Sequence, residues 1–335
     1  MIALAIVAAV LACGAIYQFI GQRRDARRQP PPGSFLDVDG QRLHVVCAGR
    51  GAPAVIFESG IAASSLSWAR VMPPIAALTR ACAYDRAGLG WSDRARSPRR
   101  VATMLRELRA VVVHAAGGRR AVLVGHSFGA FLVCAYAADR PQDVAALVLL
   151  DPPSEWHELT REQARLLRGG RQLSRVGAML AQVGVVRACV TLLTGGAPGV
   201  PRGVVRVFGP TAARTVERLV GEVRKLPAEV HPQVQAIWCQ PKCFRAMADH
   251  LGALEEMSAT IRAISSLGDI PLVVVSSGDQ PPDVVARHRQ LAALSPGGRH
   301  LVASRSAHWI QFDEPELVVS IVRDLVHSPS TYISH

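Results

Sequence analysis

Residues 125 to 129 read GHSFG, and the central serine is the residue with the clearest chemical potential in this chain. The pentapeptide G-x-S-x-G directly follows the apolar run Ala121, Val122, Leu123, Val124 and opens into FLVCAYAAD, which predicts strand, one-residue hinge and helix in that order. Such a nucleophile elbow lifts the Ser127 hydroxyl out of the sheet and aims it at a helix N-terminus. Gly125 and Gly129 fit the need, because a strained turn brings backbone segments too close for a Cβ on either side. A chain with 28 glycines can produce the pentapeptide by chance, so the flanking strand and helix carry the assignment.

A serine hydroxyl is a poor nucleophile at neutral pH and needs a base, and the base needs an orienting acid. His308 is the candidate base. It lies in a short loop after the strand-like HLVAS and before a helix opened by Asp313, Glu314 and Pro315. His126 neighbours the nucleophile but is expected to face away along the strand, and the remaining histidines lack a partnering context. No spacing among His, Cys, Asp and Glu matches a metal site such as H-E-x-x-H or paired C-x-x-C. Three aspartates compete for the acid. Asp279 and Asp283 follow the buried strand expected at 271 to 276, and Asp151 ends the strand ALVLL at 146 to 150. Chain order Ser, acid, His favours Asp279, with Asp283 and Asp151 as alternatives.

These segments resemble the α/β-hydrolase superfamily in its esterase and lipase-like branch, over residues 34 to 153 and 268 to 327. FLDVDGQRLHVVCAG is similar to the opening hairpin, turning at Asp39 and Gly40; AVIFESGIAASSLSW to the third strand and oxyanion loop; ACAYDRAGLGWSD to the fourth strand and its glycine-rich turn. GHSFG, LVLLDPP and AHWIQFDEPELV then follow in the family's order. The resemblance implies an oxyanion hole built from the backbone N–H of Phe128 and, by position, of Ile61. Glu58, Ser59 and Gly60 stand where the family commonly shows an HG pair, and Pro281 stands where its acid often falls. Epoxide hydrolase-like and dehalogenase-like members carry an aspartate at the elbow, so Ser127 implies acyl transfer.

Those chemical groups need a scaffold. The expected fold is α/β, a mostly parallel central sheet flanked by helices, with the core at 34–153 and 268–330. Residues 154–267 have few strand-like runs, helically spaced Ala, Leu and Arg, and breaks at 169–170, 195–203 and 226–232, predicting an inserted helical cap over the strand ends. MIALAIVAAVLACGAIYQFIG has no charge and is long enough to cross a bilayer, so residues 1–21 read as a transmembrane anchor. Arg23, Arg24, Arg27 and Arg28 follow it, and the positive-inside rule then keeps the catalytic domain cytoplasmic. Residues 22–33, basic and proline-rich, read as a stiff linker.

The net charge of +12 is carried almost wholly by dispersed arginines, with Lys225 and Lys242 the only lysines. With aromatics at 5% and no binding module, nucleic acid is excluded as a partner. Seven cysteines in 335 residues suggest buried free thiols and a reducing compartment rather than a disulfide framework. The chain is therefore expected to be a cofactor-free, single-pass membrane serine hydrolase acting on an uncharged or amphiphilic ester, such as a lipid. The alternatives are a non-catalytic member of the fold that binds a hydrophobic small molecule, and lyase or haloperoxidase-type chemistry on the same triad. The oligomeric state is left open.

Overall fold

The computed structural model describes residues 1–153, 160–194 and 221–327. Eight strands form one sheet: β1 (Ser34–Val38), β2 (Gln41–Ala48), β3 (Ala54–Glu58), β4 (Ala81–Tyr84), β5 (Ala121–His126), β6 (Val144–Leu150), β7 (Leu272–Ser277) and β8 (Arg299–Ala303). Their spatial order is β1-β2-β4-β3-β5-β6-β7-β8. β1 and β2 are antiparallel, β2 pairs antiparallel with β4, and every pairing from β4 through β8 is parallel. The first hairpin turns at Asp39 and Gly40, both at positive φ, as the Asp-Gly pair predicts.

Apolar residues run unbroken from Ala121 to Val124 in β5, along β6, and from Leu272 to Val275 in β7, because both faces of the sheet are covered. Leu123, Leu147, Leu149 and Val274 point to one layer, packed by α3 (Val101–Ala116), α4 (Phe128–Asp139), α8 (Pro241–Arg262) and α9 (Pro282–Ala292). Their alternating neighbours Val122, Val124, Val148 and Val275 point to the other, packed by α2 (Met72–Ala76) and α11 (Pro315–His327). Between β6 and β7 the chain inserts α5 (Arg161–Gln182), α6 (Val185–Thr194), α7 (His231–Trp238) and α8. The expected breaks at 169–170 are absent, since α5 runs straight through Gly169 and Gly170, while the break at 195–203 lies outside the described residues. Near 226–232 the chain does turn, from Leu226 into α7.

Two expectations need correction. The N-terminal helix α1 spans Ile2–Arg28, so most of the supposed linker is helix. The arginine-rich segment RRDARR has good helix formers and nothing to interrupt the ladder before Gln29 and the prolines behind it. The cysteines are also not all free. Cys47 and Cys82 are register partners across β2 and β4 and form a disulfide, whereas Cys13, Cys134, Cys189, Cys239 and Cys243 are thiols. Cysteines 35 residues apart gave no sign of pairing until the strand register put them side by side.

Candidate active site

Ser127 sits between the last residue of β5 and the first of α4 at φ 53, ψ −124. A non-glycine residue there stores about 1–3 kcal/mol of backbone strain. The turn is tightened by its glycines. A Cβ on Gly125 would lie 2.5 Å from the Gly129 carbonyl oxygen, and one on Gly129 would lie 2.4 Å from that of Glu58. The Ser127 N–H is tied to the Leu150 carbonyl at 2.9 Å, which anchors the elbow to β6.

His308 follows β8 and precedes the short helix α10 (Ile310–Asp313). Its Nδ1 donates to Asp151 Oδ2 at 2.7 Å. Asp151 is fully buried and leaves β6 at φ 41, with the Ser277 N–H at 3.0 Å and the Gln280 amide at 2.8 Å on its carboxylate. Burial alone would raise the pKa of Asp151, but the hydrogen bond and charge of His308, with the Ser277 and Gln280 donors, hold it below the usual carboxylate value. It stays ionised. With Nδ1 engaged as donor, Nε2 of His308 is the nitrogen left for a proton acceptor's work.

The acid expected first from chain order is placed elsewhere. Asp279 is exposed and accepts from Ser277 Oγ at 2.7 Å, and Asp283 pairs with Arg287 at 2.8 Å on the surface. The turn after β7 presents Gln280 to His308's neighbourhood instead, so the carboxylate comes from the end of β6. Ser127 Oγ is partly exposed and has no hydrogen bond to His308. The two residues are linked through His126. Its ring lies 4.7 Å from that of His308 and 4.8 Å from Trp309, and its Nε2 donates to the His308 carbonyl at 2.8 Å. His126 therefore faces the site, contrary to expectation. Burial, then the charge of His308, lowers its pKa to about 3, so it is neutral.

The loop after β3 is held by a side chain that sequence reading passed over. Arg86 is buried beside Phe128, donates to Glu58 and to the Ser59 carbonyl, and reaches the Gly60 carbonyl at 2.6 Å. These bonds satisfy the carbonyls of residues 59 and 60 and pin the loop beside the elbow. Neither the Ile61 nor the Phe128 N–H is spent on an acceptor among the described residues. Phe128 opens α4, where first-turn N–H groups are free and the helix dipole favours a negative charge. The signal for Arg86 was present in ACAYDRAGLG, but a charge after a strand reads as exposed until its buried partner Glu58 is seen.

An apolar pocket begins one residue from Ile61 and one from His308. Leu66, Leu226, Val234, Ile237, Trp309 and Phe312 line it, so one wall belongs to the sheet domain and the other to the inserted helices. Lys225 bridges Glu222 and Asp313, tying that insertion to α10 beside His308. No cluster that could hold a metal ion occurs among the described residues.

Residues 53–172 match the family model described as the alpha/beta hydrolase fold. That match spans β3 to β6, the elbow and Asp151. The chain has the α/β-hydrolase fold. Among known proteins it is 31% identical over 116 residues to the uncharacterised Bacillus subtilis protein YqjL, covering 34% of this chain and 46% of the relative. It is also 31% identical over 144 residues to a haloalkane dehalogenase of Sphingobium indicum, covering 41% of this chain and 48% of that one. The chain thus matches slightly under half the length of these curated relatives. The solved structure of the epoxide hydrolase CorEH superposes with a TM-score of 0.62 at 18% identity, over 88% of this chain and 98% of that one. At that identity the likeness shows the fold alone.

Proposed function

We propose that this α/β-hydrolase-fold protein is a serine hydrolase that cleaves an uncharged or amphiphilic carboxylic ester. The observation that carries the reading is a hydroxyl at the elbow in company with the His308–Asp151 pair. The relatives include proteins named as a haloalkane dehalogenase and an epoxide hydrolase, chemistries that the family resemblance ties to an elbow carboxylate. A serine has no carboxylate to offer. What it can form, given a base, is an acyl ester.

In this reading Ser127 Oγ attacks the ester carbonyl while His308 Nε2 takes its proton, and the Asp151 carboxylate steadies the imidazolium. The Phe128 and Ile61 N–H groups receive the oxyanion, each worth roughly 3 kcal/mol in the transition state. The tetrahedral adduct expels the alcohol, protonated by His308. Water, deprotonated by the same imidazole, then frees the acid and restores Ser127. The apolar pocket takes the acyl chain, and the inserted helices act as a lid that keeps bulk water from it.

We also infer that α1 anchors the protein in a bilayer, and that the sheet domain lies on its oxidising side. The arginines after the apolar run argue for the cytoplasm, but that bias counts in short loops, and large domains translocate largely regardless of charge. The Cys47–Cys82 bond favours an oxidising compartment.

Short- to long-chain p-nitrophenyl esters, assayed beside a haloalkane and an epoxide, test the chemistry. Ester turnover with a burst of nitrophenol equal to the enzyme present is expected. Turnover of the haloalkane or epoxide with no ester cleavage would overturn the reading.

A further inference from the structure

α1 is not a free tether. Gly14, Gln18, Gly21 and Asp25 are spaced i, i+4, i+7, i+11 and form one face of the helix. That face is docked on the corner between α5 and α6. A Cβ on Gly14 would lie 2.3 Å from the Val183 carbonyl oxygen, and one on Gly21 would lie 2.4 Å from Arg187 Nε. Gly184, at φ 76, turns the two cap helices through 87° and abuts Gly14. At the base, buried Arg187 donates to Gln18 at 2.9 Å and pairs with Asp25 at 2.7 Å, and Gln18 donates to the Cys239 carbonyl at 2.7 Å.

This docking fixes a register. Gly14 lies seven residues inside the apolar run that ends at Gly21, about 10 Å at 1.5 Å per residue. The corner touching Gly14 is itself uncharged from Val176 to Val186, with Arg175 and Arg187 at either end. Ala178 and Ala181 pack inward, but larger apolar side chains face out. Met179 is 62% exposed, Val185 38% and Leu192, further along α6, 50%.

We propose that the α5–α6 corner is a second membrane contact whose partner is the acyl region of a lipid bilayer, entered beside the C-terminal half of α1. The inference rests on α1 being a membrane span. A cap corner locked to the middle of an apolar span has to share its solvent. Uncharged, outward-facing Met179 and Val185 suit hydrocarbon, and the exposed Arg175 can hold its guanidinium in the headgroup layer. The cap thereby rests on the surface from which an amphiphilic ester would come.

The full chain in phosphatidylcholine vesicles with brominated acyl chains provides the test, read by tryptophan quenching above that of the five native tryptophans. Phe19→Trp on α1 reports the span, and Val113→Trp, on exposed α3, reports bulk water. Met179→Trp and Val185→Trp are expected to be quenched to an extent comparable with Phe19→Trp, and Val113→Trp not at all. Quenching of Phe19→Trp without either corner variant would overturn the proposal and leave the span standing. If Phe19→Trp is also unquenched, the span reading fails and the proposal falls with it.

Discussion

Asp151 illustrates how a single carboxylate can be held ionised in a buried place. It accepts from His308, Ser277 and Gln280, which together outweigh the desolvation that would otherwise protonate it. Asp151→Asn is expected to lower kcat by about four orders of magnitude, as loss of an orienting acid does elsewhere, while Asp279→Asn stays near wild type; steady-state ester hydrolysis checks both. His126 carries a second consequence. Its pKa is lowered to about 3 from an unfolded value near 6.5, so the neutral form is favoured in the folded protein. Such a group contributes stability that is fully present above about pH 6.5 and lost as pH falls toward 3. Wild type should lose stability across that window, and His126→Phe should lose less, as measured by urea unfolding at a series of pH values.

At the scale of elements, the loop after β3 depends on one buried ion pair. Arg86 and Glu58 are each about 1% exposed at the side chain, and removing one partner leaves the other charged and dry. Arg86→Met is expected to cost about 3–5 kcal/mol in unfolding free energy, and adding Glu58→Gln should restore part of it. The strand positions, the Asp39–Gly40 hairpin and the Ser127 elbow were legible because each is a local pattern: an apolar run, a turn dipeptide, a pair of glycines. Asp151 was visible only as one of three strand-end aspartates, since choosing among them needs the path of the β7 turn. Arg86, the inward-facing His126 and the Cys47–Cys82 pair were illegible for the same reason. Each role is defined by a partner dozens to hundreds of residues away, brought near by strand order.

At the scale of the whole molecule, the sheet sets Ser127, Asp151 and His308 at its strand ends, the inserted helices form one wall of the pocket beside them, and α1 packs against those helices. Under the proposed anchoring, the redox state of Cys47 and Cys82 tests which side of the membrane the sheet domain occupies. Alkylating intact cells before lysis, then reducing and labelling with a heavier maleimide, should mark Cys47 and Cys82 only in the second step. Labelling of both in the first step would return the domain to the cytoplasm. The central claim is that Ser127 is an activated nucleophile. Its most direct test is intact-mass measurement after treatment with a fluorophosphonate: a single adduct that maps to Ser127 and is missing from Ser127→Ala is the predicted result, and a folded wild-type protein that takes up no adduct would contradict it.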